Sequence, residues 1–150
     1  MQLTTALKAV GGRSAVLALV LTAALGATAQ ASVTALTLDP TAQLSPGRLH
    51  AILTGAITCA PGDNPSLFGQ VIQTKNKTSG SGFTTTVCDG TSHPYAVDVS
   101  TNGGFPFPFP SSGGPFKAGN AIAQVTASLC DPLTFNCVTK YVDGEIRLLK

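Results

Sequence analysis

Arg48-Leu-His-Ala-Ile-Leu-Thr-Gly-Ala-Ile-Thr-Cys59 is the stretch that decides the fold class. Leu49, Ala51, Leu53, Gly55, Ile57 and Cys59 fall on one face, while His50, Thr54 and Thr58 fall on the other. A period of two is the signature of a strand with one buried and one wet side. It also points Cys59 into a core. The same pattern returns in Asn120–Cys130, where Ala121, Ala123, Val125, Ala127 and Leu129 oppose Gln124, Thr126 and Ser128. Tyr95, Val97 and Val99 alternate with Ala96, Asp98 and Ser100 in a third such segment.

Turn residues punctuate the stretches between. Val33–Leu38 reads as a first strand stopped by Asp39-Pro40, and Ser45-Pro46-Gly47 as a turn, since Pro presets φ and Gly accepts φ > 0. Ala60–Pro65 is a loop, Leu67–Thr74 a strand, and Asn76–Gly82 a polar hairpin tip. Phe83–Cys88 returns as a Thr-rich strand, and Asp89-Gly90 turns again. Phe135–Leu149 supplies one or two closing strands, bent at Asp143-Gly144 where there are two. Seven or eight short strands with alternating faces predict an all-β, antiparallel, immunoglobulin-like β-sandwich.

The first 31 residues set the compartment. Lys8 and Arg13 precede the apolar run Ala15–Leu25, and Ala29-Gln30-Ala31 has the small-x-small pattern that a signal peptidase accepts. The run is short of the ~20 residues that a membrane span needs. Residues 1–31 therefore read as a cleaved signal peptide and 32–150 as one secreted domain. Once Lys8 and Arg13 leave with the leader, the remaining basic residues equal the seven acidic ones. A neutral domain in which charged residues are 11% of the chain carries no electrostatic footprint for nucleic acid.

In an oxidising compartment the four cysteines read as two structural disulfides rather than as a metal site, which would require close C-x₂-C pairs. Four cysteines allow three connectivities. Cys130–Cys137 across a short turn and Cys59–Cys88 across a longer loop are the physically natural pair.

Gly55-x-x-x-Cys59 closing an apolar strand, Cys88-Asp89-Gly90 followed by His93-x-Tyr95, and Phe116-x-x-Gly119 opening a late alternating strand carry a resemblance. Over Leu49–Leu148 the chain resembles small secreted immunoglobulin-like proteins of actinobacterial type. Tyr95 stands where that pattern usually has Trp. The resemblance implies a β-sandwich and an exported product, and it transfers no activity and no site residues.

Chemistry-bearing patterns are sparse. His50 lies on the polar face of a strand and His93 in a turn before Pro94, without the spacing of a metal or acid–base site. Ser81 lies between two glycines but lacks the G-x-S-x-G context of a nucleophile. The acids are single, and no Gly-rich loop opens a helix to cradle phosphate. The sequence thus predicts no enzyme, no cofactor, no metal, no nucleic-acid partner and no membrane span in the mature chain.

One segment stands out: Gly103-Gly104-Phe105-Pro106-Phe107-Pro108-Phe109-Pro110. Alternating prolines deny it ladder bonds and favour an extended path. Phe105, Phe107 and Phe109 are candidate binding residues for a protein or cell-surface partner. Tucked against the domain, the same rings would instead cap its open end. The expectation is a secreted, non-catalytic binding or surface-associated structural module. Two alternatives stand beside it. A small protease inhibitor is suggested by Cys59-Ala60-Pro61-Gly62, though a reactive loop pinned by its own disulfide is missing. A small-ligand carrier would show an apolar cleft.

Overall fold

A computed structural model describes residues 32–102, 113–131 and 135–150. The expected leader and the Phe105–Pro110 segment, with Phe105, Phe107 and Phe109, lie outside the described residues. The strands are β1 (Val33–Leu36), β2 (Thr41–Leu44), β3 (His50–Cys59), β4 (Ser66–Gln73), β5 (Thr78–Thr85), β6 (Ser92–Ser100), β7 (Gly119–Cys130) and β8 (Cys137–Leu149).

These strands correct the expected architecture. They do not form an antiparallel immunoglobulin-like sandwich. Seven of them close into a barrel in the order β2-β3-β6-β5-β4-β7-β8, and β8 returns to β2. The closing pair is parallel, Thr41–Gln43 beside Arg147–Leu149, whereas the other pairings are antiparallel. Closure removes the unpaired edges that an open sheet would present.

Two local features make closure possible. The first is the break between β1 and β2. Both lie along the edge of β3 away from β6: β1 pairs with Ile57–Cys59 and β2 with Ala51 and Ile52. Between them the N–H groups of Thr37 and Asp39 still donate to Ala56 and Thr54 of β3. Pro40 turns its carbonyl to the opposite edge, where it accepts from Arg147 N on β8 at 2.9 Å, so the chain gains β8 as a second neighbour there.

The second is the seam between β5 and β6, paired at Ser81 and Ser100. A Cβ on Gly82 would fall 1.8 Å from the Asp98 carbonyl oxygen. Glycine lets the two backbones approach.

The inward rows are those the alternation predicts. Ala51, Leu53, Ile57, Tyr95, Val97, Val99, Ala121, Ala123, Val125 and Ala127 are all buried. Leu67, Val71, Ile146 and Leu148 complete the core, and Phe116, from the segment leading into β7, is fully buried. Phe116 N donates to Arg48 O at 2.8 Å, which fixes the ring at one end of the barrel.

Several finer expectations differ. The tip of the β4–β5 hairpin is a single 3-10 turn at Thr74–Asn76, and β5 begins at Thr78, inside the stretch expected to be loop. Thr86–Cys88 lies beyond the strand rather than in it. β8 runs unbroken through Asp143-Gly144, and His93 sits in β6, paired with Ile57, not in a turn. Leu49 precedes β3 and is exposed.

Candidate functional site

Both cysteine pairs are disulfides: Cys59–Cys88, 29 residues apart, and Cys130–Cys137, seven apart. They differ in setting. Cys59 and Cys88 are buried where β3 ends, whereas Cys130 and Cys137 face solvent.

The histidines are each paired with an acid. His50 Nδ1 lies 2.9 Å from Asp98 Oδ1 across the β3–β6 ladder, on the wet face. His93 Nε2 lies 2.6 Å from Asp89 Oδ1, which also accepts from the Thr91 N–H at 2.8 Å and hydroxyl at 2.6 Å. The Thr91 hydroxyl, its N–H and then His93 hold the Asp89 carboxyl well below the usual carboxylate range. The Thr91 hydroxyl lies 3.3 Å from the same Nε2. A nucleophile–base–acid relay needs the imidazole's two nitrogens to serve different partners. Here one nitrogen meets both, so the cluster clasps the turn after Cys88. Among the described residues no group of three or more His, Cys, Asp or Glu could hold a metal ion. No helix among them is long and apolar enough to cross a membrane, which says nothing about crossing by strands.

The surface that gathers candidate binding groups is the outer face of β5, β4, β7 and β8. Directly paired residues point to the same side, so the register yields rows across it. One row is Ile72, Ile122 and Glu145, and the next is Gln70, Gln124 and Asp143. A third is Phe83, Phe68, Thr126 and Tyr141. Ser66, Ser128 and Thr139 form a fourth. Ile72, Ile122, Phe83 and Tyr141 are exposed, Tyr141 at 67%. At the usual strand spacing the Phe68 and Tyr141 positions stand about 10 Å apart.

Two open grooves run along this face. The smaller, about 200 Å³, lies between Gln70, Ile72, Ile122, Gln124 and Asp143. The larger, about 600 Å³, shares Ile72 and Ile122 with it and ends among Lys75, Lys117 and Asn120. Its far wall is fixed by Gln73, whose side-chain amide behaves like a strand partner. Nε2 donates to Lys117 O at 2.8 Å, and Oε1 accepts from Lys117 N at 2.8 Å. Gln73 is buried although its polarity marks it for the surface. Only its position on the inward row of β4, after Leu67 and Val71, signals this in the sequence.

Phe105, Phe107 and Phe109, the binding candidates from sequence, lie outside the described residues. The aromatic row was missed because Phe68, Phe83 and Tyr141 lie on three strands, far apart in sequence, and meet only through the register. The loop Cys59–Gly62, read as inhibitor-like, is tied down: Gly62 N donates to Cys88 O and Cys88 N to Asp63 O, both at 2.9 Å. No family model and no curated protein matches this chain.

Proposed function

We propose that the protein is an exported, non-catalytic binding module that takes a neutral polysaccharide along the outer face of β5, β4, β7 and β8. The observation that carries this reading is the continuity of the two grooves through Ile72 and Ile122, on the face that also exposes the rings of Phe83 and Tyr141. Sugar rings present apolar C–H faces to aromatic side chains and hydroxyls to amides and alcohols. Gln70, Gln124, Ser66, Thr126, Ser128 and Thr139 supply the latter on the same face. The groove lining carries both signs, Asp143 and Glu145 from β8 with Lys75 and Lys117, so it offers a polyanion no net attraction, which favours an uncharged chain over nucleic acid or an anionic polymer. Both grooves are open troughs, the shape for an extended polymer rather than for an engulfed small ligand. Two disulfides agree with an oxidising, extracellular setting.

The test is co-sedimentation with insoluble cellulose, chitin and bacterial wall polysaccharide. Phe83→Ala and Tyr141→Ala should each weaken binding by about tenfold, the worth of one stacked ring. Both should leave the melting temperature nearly unchanged, because both side chains are exposed. Wild type that sediments with none of the polymers, or a double variant that sediments as well as wild type, overturns the reading.

A further inference from the structure

We infer that cleavage after Ala31 creates a structural contact: the new α-ammonium of Ser32 is held by the carboxylate of Asp63. This inference rests on the export reading above, and its test separates the two.

Ser32 N lies 3.1 Å from Asp63 Oδ2, and Ser32 O accepts from Ala60 N at 3.1 Å. Both backbone groups of Ser32 are thus engaged by the loop after β3. Val33, next in the chain, is buried and pairs with Cys59. Asp63 is itself held in place. Its N–H donates to Ala60 O and its carbonyl accepts from Cys88 N, the half-cystine bonded to Cys59. The acceptor is therefore built into the disulfide-braced end of the barrel, at the residue where the sequence places the cleavage boundary.

The chemistry is a hydrolysis. Water, delivered by a signal peptidase, breaks the Ala31–Ser32 amide. Ala31 keeps the carboxylate and leaves with the leader, and the Ser32 amine takes up a proton at neutral pH. A neutral peptide N–H beside Asp63 becomes an ammonium there, converting a hydrogen bond into a charge-assisted one. Among the described residues on neighbouring elements, Asp89 and His93 bond to each other, and the Lys140 ammonium on β8 donates to Thr34 O.

The full chain is expressed in an exporting bacterial host, and the product is analysed by intact mass and N-terminal sequencing. It should begin at Ser32. On that product, Asp63→Asn keeps an acceptor but removes the charge, and should lower the melting temperature by about 2–5 °C at pH 6–7. Selective acetylation of the α-amine should lower wild type to the same level and leave Asp63→Asn unaffected. The folded state favours the protonated amine. The advantage of wild type over Asp63→Asn is therefore present at neutral pH and fades as pH rises above about 8, where the amine deprotonates. A chain recovered unprocessed overturns the inference and the export reading with it, whereas a chain processed to start at another residue overturns the inference alone. Processing at Ser32 with additive effects of acetylation and Asp63→Asn overturns the contact while leaving export in place.

Discussion

Tyr95 reaches across the full width of a neighbouring strand because Gly55 lies beneath it. The two residues pair directly across β6 and β3, and the Tyr95 hydroxyl donates to Thr37 O at 2.5 Å, on the far side of β3. A Cβ on Gly55 would stand 2.1 Å from that carbonyl oxygen and 2.6 Å from the hydroxyl. One side chain thereby ties three adjacent strand segments together, at the break between β1 and β2.

Gly55→Ala should therefore destabilise the barrel by about 3 kcal/mol, the upper end of core overpacking, because neither backbone nor ring can give way cheaply. Tyr95→Phe keeps the ring and loses the bond, leaving the Thr37 carbonyl without its tyrosine donor. It should cost less, about 1–2 kcal/mol. Urea denaturation of the two variants checks the order. Equal losses would mean that the hydroxyl, not the space above Gly55, is what matters.

Tyr95 also predicts an alkaline limit. Burial, with the nearby Asp39 carboxylate second, pushes its hydroxyl up to about 12, from an unfolded value of 10.0. The fold thus favours the neutral phenol. The associated stability is complete below pH 10 and is lost as pH rises toward 12, by up to roughly 2–3 kcal/mol. Denaturation midpoints followed from pH 9 to 12 should fall more steeply for wild type than for Tyr95→Phe. Parallel slopes would assign the alkaline loss to other groups.

The Asp89 clasp predicts behaviour at the acid end. Its folded pKa is depressed, so its contribution is complete above the usual carboxylate range and is lost progressively as pH falls from that range toward the depressed folded value. In an NMR titration the Asp89 carboxyl carbon should still report the ionised form near pH 3, while Thr91→Ala should bring its titration back toward the ordinary range, near 4.

The two disulfides should differ in worth. Replacing Cys59 and Cys88 together by Ala should cost about 3–5 kcal/mol, because the loop is long and both sulfurs are buried. Replacing Cys130 and Cys137 should cost less, about 2 kcal/mol, since that loop is short and exposed. Calorimetry on the two double variants distinguishes them. The reverse order would show that the β7–β8 turn depends on its staple.

Gln73→Met should cost about 1–3 kcal/mol by stripping the Lys117 backbone of its side-chain partner. The same change loosens the groove wall. If the proposed polysaccharide occupies that end, binding weakens as well. A stability loss with unchanged affinity would place the ligand nearer the aromatic row.

The cysteine pairing stayed a natural choice among three connectivities, whereas the all-β class and the inward rows of β3, β6 and β7 were legible in the chain itself. Each depends on local chemistry: alternation assigns a side chain to a face, and turn residues mark where strands stop. Closure into a barrel was not legible. It depends on Pro40 handing its carbonyl to Arg147, more than 100 residues away, and on Gly82 letting β5 approach Asp98. A strand's period of two says which side is buried and nothing about which strand lies beside it. The candidate face has the same origin, since Phe83, Phe68 and Tyr141 share a row only once β5, β4, β7 and β8 are in register.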